Sequence, residues 1–346
     1  TVGTAGSVST LNFVGSAVVA TASTGAAGVS TITITGGFSP DADINLFSSN
    51  TCSGCNLDGS AGCFNLFLGS CAGKEVTSGH DNIALGANTL RNNTSGKNNI
   101  ALGAHALHCC MSTGLYNIAI GAQAGRKLQN NCNIAIGFGA LCGSGGGVGN
   151  CNIAIGLNAG KKLTNGHANI FMGTSAGACI TGSGAGDGSY NIGFGRDALG
   201  GQADGGSTSG TFNAVMGHYS GRKISSGSSN TLMGRVSGCS ITSGGNNTFL
   251  GSAAGKCVST GSKNIAIGDN ATPPSDTGSC QLIIGVASYS WMVGNANFNV
   301  GIGTTNPDIP VGAGNTAKLS VGIVSAYQLY GDGSALTGLA GFSPDD

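Results

Sequence analysis

One short pattern of apolar and polar positions recurs along most of the chain. Its clearest copy is the stretch 117–125, NIAIGAQAG, in which an asparagine precedes alternating apolar residues and a glycine. Weaker copies begin at Asn45, Gln281 and Asn299. Successive copies mostly start about 17 residues apart, and self-similarity at a fixed short period predicts a solenoid. The main copies start at Asn65, Asn82, Asn99, Asn117, Asn133, Asn152, Asn169, Asn191, Asn213, Asn230, Asn247 and Asn264.

Each copy predicts a strand with two apolar faces. The starting asparagine is position 0 below, so Ile118 and Ile120 are at positions 1 and 3 of their coil and point away from Ala119 at position 2. In other coils position 2 is Phe67 or Phe171, so this face accepts large side chains. A strand that is apolar on both faces is covered on both. A single roll covers one face, and we expect further copies of the chain around a symmetry axis to cover the other, the Ala and Phe face.

Position 11 is a second apolar column, and it predicts a second strand in each coil. Position 14 is often glycine, which predicts a turn with positive φ. Two short strands and two turns in about 17 residues describe a flattened parallel β-roll. The members of the position 11 column are Val76, Leu128, Leu163, Ile180, Ile224, Ile241 and Val258. The position 14 glycines are Gly79, Gly166, Gly227, Gly244 and Gly261.

The repeated asparagine predicts a structural ladder. Stacked coils place identical side chains about 4.8 Å apart, where amides hydrogen-bond to one another and to turn groups. The alternative is that asparagine is only a tolerated turn residue, because it enters the left-handed region easily. We favour the ladder, since asparagine holds this position where glycine or aspartate would also turn.

The composition narrows the functional classes. The chain has 65 Gly among 346 residues, 40% hydrophobic residues and 8% charged residues, which excludes a disordered polyelectrolyte. Glycine has no three-residue period, which excludes collagen. Fourteen basic and 14 acidic residues give no general attraction to nucleic acid or membranes, so we expect neither nucleic-acid binding nor membrane insertion.

The repeat divides the chain into three parts. Residues 1–36 form an N-terminal connector with a strand at 31–35, residues 37–290 form the repeat stack, and residues 291–346 form a C-terminal connector leading toward a further module. Two longer steps, at 169–191 and 191–213, predict loops within 181–211 on one edge of the stack. Such loops often bind ligands, although these lack aromatic anchors apart from Tyr190.

Two known groups of proteins resemble this sequence. The NIAIGxxAG repeats over about 45–290 resemble the head repeats of trimeric autotransporter adhesins, which implies a left-handed, homotrimeric parallel β-roll. The segments 301–307 (GIGTTNP) and 331–338 (GDGSALTG) are similar to connectors of phage tail fibres, especially those of cyanophages, which are also trimeric. The resemblance implies a location on the virion, with other fibre or baseplate proteins and a host surface glycan or protein as partners.

No catalytic, cofactor or metal site emerges from the sequence. His80, His105, His108, His167 and His218 are scattered, and no known catalytic motif brings a base to a nucleophile, so we expect no enzyme activity. The best metal-like cluster, Cys52, Cys55 and Cys63, has no second ligand pair, which favours small buried residues or a local disulfide. A discontinuous cysteine column follows positions 9 and 10, where Cys239 and Cys257 could approach disulfide distance. The interpretation that we favour is that these thiols are reduced and fill space, because a phage protein is assembled in the cytosol.

Basic residues also occupy positions 9 and 10. This candidate basic stripe could meet an anionic surface glycan. The alternative, which we favour, is that these charges keep the edge of a fibre soluble. The stripe consists of Lys74, Arg91, Arg126, Lys127, Lys161, Lys162, Arg222, Lys223 and Lys256.

The sequence therefore predicts a rigid homotrimeric fibre segment of a phage tail or virion appendage that presents a host-attachment tip. The alternatives are a bacterial cell-surface adhesin or extracellular filament, and the stalk of a glycan depolymerase. An ice-binding solenoid is disfavoured because the sequence lacks a regular threonine column.

Overall fold

A computed structural model shows a parallel β-solenoid. It describes residues 45–47, 52–58, 62–109, 113–143, 148–181, 188–200, 209–287, 289–297 and 299–302, together with the backbone of three strands at 19–24, 30–35 and 319–321. These residues contain strands and turns but no helix. Equivalent residues of neighbouring coils are mostly about 17 residues apart, so the predicted all-β solenoid and its period are confirmed.

The remaining strands precede and follow the regular stack in the sequence. Strands β1 (Val19–Thr24) and β2 (Ser30–Thr35) form an antiparallel pair, which confirms the strand predicted at 31–35. The first strand of the ladder is β3 (Leu46–Phe47). Its far end consists of β16 (Leu282–Val286), β17 (Tyr289–Gly294), β18 (Val300–Ile302) and β19 (Leu319–Val321).

Twelve three-residue strands form the regular stack, one in each coil. They are β4 (Leu66–Leu68), β5 (Ile83–Leu85), β6 (Ile100–Leu102), β7 (Ile118–Ile120), β8 (Ile134–Ile136), β9 (Ile153–Ile155), β10 (Ile170–Met172), β11 (Ile192–Phe194), β12 (Ala214–Met216), β13 (Thr231–Met233), β14 (Thr248–Leu250) and β15 (Ile265–Ile267).

Each strand pairs in parallel with the strands of the preceding and following coils, from β3 to β16, and equivalent positions lie side by side. Ile118, for example, lies between Ile100 and Ile134. The register continues through β10, β11 and β12, across the two longer steps of the repeat. The extra residues thus leave the ladder without breaking it, and most of them, 182–187 and 201–208, lie outside the described residues. After β16 the chain turns back, because β17 pairs antiparallel with both β16 and β18.

Position 2 faces the inside of the coil. Ala119, Phe171 and their equivalents are fully buried, while positions 1 and 3 are half-buried or exposed. The expectation that other copies would cover the Ala and Phe face was therefore wrong. The reason is that the turns of the same coil fold back over this face and bring the buried alanine of position 7, such as Ala124, into the common core. The face left outside is the one with isoleucine, leucine and methionine.

The prediction of a second strand in each coil was also wrong. Position 11 is buried, as at Val76 and Leu163, but it directly follows the turn and lies in no strand of the described coils, apart from an isolated bridge at Ile180. The glycine at position 14 does not have positive φ either. It is required by close approach, because a Cβ at Gly166 would lie 2.5 Å from the carbonyl oxygen of Gly188 in the next coil.

Positions 8 and 11 share one space in the core. Where position 8 is glycine, position 11 is large: a Cβ on Gly125 would lie 2.6 Å from Cδ1 of Leu128. Where position 8 is Leu90, position 11 is Asn93, whose side chain bonds to Gly96 instead of filling the core. A core at organic-crystal density has room for one of the two side chains, so the sequence alternates between them.

Candidate interaction surfaces

The outer face of the strands is an apolar surface that the chain itself leaves open. We call it the strand outer face and define it as positions 1 and 3 of β4 to β15. Its exposed members include Met216 at 41%, Met233 at 43% and Ile265 at 41%. The eleven steps from β4 to β15 make it about 50 Å long at the usual strand spacing. Continuous apolar patches of more than a few hundred Å² are typical of interaction sites.

Large side chains border this face on both sides. At position 5, Phe138 and Leu157 are exposed. At the residue preceding the asparagine, Tyr190 and Phe212 of neighbouring coils stack with ring centroids 4.9 Å apart and planes within 1°. The apolar surface is therefore wider than the three-residue strands in these coils.

The repeated asparagines form a buried hydrogen-bonded column inside the stack. The Oδ1 atom of Asn152 accepts hydrogen bonds from the backbone N (3.0 Å) and Nδ2 (2.9 Å) of Asn169 in the next coil. Its own Nδ2 donates to the carbonyl of Gly166 at 2.9 Å, which is position 14 of the same coil. The asparagine thus links each coil to the next and also closes its own coil. The same contacts recur with minor variations from Asn65 to Asn264.

The nine residues of the basic stripe do not form one continuous column. Lys74, Arg91 and Arg126 lie at position 9 of neighbouring coils, with His108 between the two arginines. Beyond Arg126 the position becomes Cys142, and beyond Lys161 it becomes Ala178. The stripe is therefore divided into an early group, the Lys161 and Lys162 pair, and a late group with Arg222, Lys223 and Lys256.

The early group contains His108, and the surroundings of this histidine disfavour its protonation. Burial and the neighbouring His105, Arg91 and Arg126 lower the pKa of His108 below its usual value. The Nε atoms of Arg91 and Arg126 are shielded from solvent and have no hydrogen-bond partner among the described residues. Positive charge is thus concentrated around His108.

A second basic cluster, which sequence reasoning missed, surrounds Tyr219. We call Arg196, Tyr219, Arg222 and Arg235 the Tyr219 cluster. The guanidinium carbon of Arg222 lies 4.8 Å from the centre of the tyrosine ring and that of Arg196 lies 5.6 Å away. Arg196 and Arg235 occupy position 5, so a search restricted to positions 9 and 10 could not find them. The signal was present as Arg196, His218 and Arg235 at one position of three successive repeats.

The twelve described cysteines are all free thiols, including Cys52, Cys55 and Cys63. Cys52 and Cys55 contact each other, and burial together with this contact raises the pKa of the Cys55 thiol. The Cys239 thiol donates to the carbonyl of Lys256 at 3.7 Å rather than bonding to Cys257. Within the described ranges, no three His, Cys, Asp or Glu side chains are arranged to hold a metal ion.

Comparison of the chain with models of known families, with curated proteins and with solved structures finds no match. In the part of the chain that the structure describes, no helix is long and apolar enough to cross a membrane.

Proposed function

We propose that the chain is a structural fibre segment that assembles as a homotrimer through its strand outer face, in a phage tail or virion appendage that presents a host-attachment tip. The observation that carries this proposal is the strand outer face itself. It repeats in register along the whole stack, it is apolar except at Thr231 and Thr248, and nothing in the described part of the chain covers it.

Another copy of the same chain is the occupant that fits this surface. A partner copy has the same coil spacing, so its isoleucine, leucine and methionine columns match these along the full length. At about 50 Å by 10 Å, including side-chain breadth, the face has roughly 500 Å² of area, before the bordering Phe138, Leu157 and Phe212 are added. In a closed trimer each chain faces two neighbours across the symmetry axis, and together they cover the whole of this face.

The mechanical role follows from the ladder. Every coil is joined to the next by backbone hydrogen bonds and by the asparagine column, so bending the shaft requires stretching many bonds together. The resemblance of the repeats to adhesin heads and of the C-terminal segments to tail-fibre connectors supports a place on a virion.

Light scattering of the purified chain tests the assembly. We expect a mass near three times 33.6 kDa. Replacing Met216 and Met233 with lysine places two charges on the strand outer face and should shift the protein to monomer while the strand signal in circular dichroism persists. The matched control replaces Ser226 and Ser243, exposed residues at position 13 of the same two coils, with lysine and should retain the wild-type mass.

A monomeric wild-type chain would overturn the proposed trimer, and so would equal effects of the methionine and serine pairs.

The virion location has a separate test in the genes next to this one. Neighbouring capsid and tail genes support it, whereas a secretion signal or a C-terminal membrane barrel in the full gene would favour a cell-surface adhesin.

A further inference from the structure

We propose that the Tyr219 cluster binds an acidic polysaccharide, a sugar chain that bears carboxylate or sulfate groups. The cluster lies on three successive coils of the stack, those that begin at Asn191, Asn213 and Asn230. This binding activity belongs to the shaft itself and does not depend on the trimer or on the virion location.

The backbone fixes the spacing of the cluster. The amide of Tyr219 donates to the carbonyl of Arg196 at 3.0 Å, and the amide of Val236 donates to the carbonyl of His218 at 2.9 Å. Arg196, His218 and Arg235 therefore lie in register at position 5, separated from coil to coil by one strand spacing of about 4.8 Å. Arg196 and Arg235 therefore lie two strand spacings apart along the axis of the stack, about 10 Å, with His218 between them.

Tyr219 contacts two arginines of the cluster, Arg196 in the position 5 row and Arg222 in its own coil. One Nη atom of Arg196 lies 3.3 Å from the tyrosine hydroxyl, and its Nε lies 3.3 Å from the carboxylate of Asp197. The guanidinium of Arg222 lies against the same ring at 4.8 Å, a cation–π distance. Side chains that are ordered before a ligand arrives lose less conformational entropy on binding.

The charge of the cluster is not balanced locally. Within the described residues 188–200 and 209–255, Arg196, Arg222, Lys223 and Arg235 are opposed by one carboxylate, that of Asp197. In the same ranges only Arg196 forms an ion pair. Over the three coils as a whole, residues 191–246, the sequence has four basic residues and two acidic ones, Asp197 and Asp204, whereas the chain as a whole has 14 of each, so a positive excess of two is a local feature.

Arginine and the ladder spacing together point to a polymer with repeated oxyanions. The guanidinium fork binds carboxylate or sulfate through two parallel hydrogen bonds. A single small anion would neutralise one arginine, whereas an extended acidic sugar chain can run along the row. Single-stranded nucleic acid fits less well because its bases stack on open aromatic rings, while Tyr219 is half-buried and already carries two guanidinium groups.

Binding of defined polymers to the full-length chain tests this proposal. The probes are polygalacturonate for carboxylate, dextran sulfate for sulfate, and neutral dextran, measured by titration calorimetry at low salt. We expect at least one acidic polymer to bind and neutral dextran not to bind. The preference between the two acidic polymers identifies the oxyanion.

Paired variants separate the cluster from general electrostatics. Arg196→Gln with Arg235→Gln should weaken binding by about tenfold or more, since each removes a charged hydrogen bond. The matched control, Lys161→Gln with Lys162→Gln, removes the same amount of charge from the basic stripe, away from the Tyr219 cluster. It should change affinity by less than about twofold. Circular dichroism checks that all variants keep the fold.

Three results would overturn the proposal. The first is no binding of either acidic polymer. The second is equal weakening by the arginine and lysine pairs, which would mean that only overall charge matters. The third is competition by a DNA oligonucleotide as strong as that by the acidic polymer, which would identify a nucleic-acid surface instead.

Discussion

In each coil, the side chain of one buried asparagine makes hydrogen bonds of the kind that a second strand would make in an ordinary sheet. Its carbonyl accepts from the next coil and its amide donates to the glycine carbonyl at position 14, so both ends of the side chain are used. An aspartate would lack the two amide donors, and a glycine would lack both groups. The ladder therefore depends on the chemistry of the amide and not only on its tolerance of turns.

We predict that Asn152→Ala destabilises the stack by about 2–5 kcal/mol, because it leaves the amide of Asn169 and the carbonyl of Gly166 buried without these partners. Denaturant unfolding followed by circular dichroism measures the change. Asn165→Ala, at an exposed position of the same coil, serves as the control and should leave stability within about 0.5 kcal/mol. Similar losses for the two variants would contradict the structural role of the column.

At the scale of the element, each strand is short because a glycine ends it. The glycine at position 4 has φ between 116° and 137° in the twelve regular coils, a region that disfavours other residues. Successive glycines also lie directly against one another, since a Cβ at Gly156 would lie 2.6 Å from the carbonyl oxygen of Gly173. Each three-residue strand and the glycine that ends it thus repeat together from coil to coil.

Gly156→Ala is predicted to cost about 3 kcal/mol or more, since backbone strain and a steric clash act together. Thermal and denaturant unfolding give the comparison. Its control is Leu157→Ala at the next residue, an exposed side chain whose removal should cost less than about 1 kcal/mol. If Gly156→Ala were as mild as Leu157→Ala, the close approach of the glycine columns would be wrong.

The whole stack is a one-dimensional array in which a coil packs only on its two neighbours. Its stability is then approximately a sum of coil and interface contributions. This arrangement explains why the two longer steps do not disturb the ladder: the strands on either side of each step still pair in parallel register. It also means that the length of the stack can change by whole coils.

Deletion of residues 230–246, one complete repeat, should therefore give a shorter but folded stack. The deletion joins Ser229 to Asn247, which keeps the asparagine column and the glycine columns aligned. We expect cooperative unfolding with a modest loss of stability, measured by circular dichroism. Deletion of residues 230–238, about half a repeat, places polar positions in the core and should abolish folding. Failure of both deletions to fold would contradict the modular array.

The repeat made much of this architecture predictable from local pattern. Identical residues at a fixed spacing occupy identical environments, so the asparagine positions, the strand positions and the period followed directly from the sequence. The arrangement of the basic stripe was harder to predict. The coil repeat sets the spacing of charged residues at one edge, but the core does not constrain which residues occur there. The Tyr219 cluster combines position 5 of two coils with positions 6 and 9 of the coil between them, and only the folded turns bring these positions together.

By itself, the sequence determined the solenoid class, its period and the parallel stacking, because a repeating pattern can be satisfied only by repeating neighbours. The tertiary structure decided which side of the strand is inside. Alternation shows that a strand has two faces, but both faces here are apolar, and the path of the turns places position 2 in the core. It also decided that position 11 is buried without forming a strand and that the glycine at position 14 serves close approach rather than positive φ, because burial and contact depend on where the following coil lies.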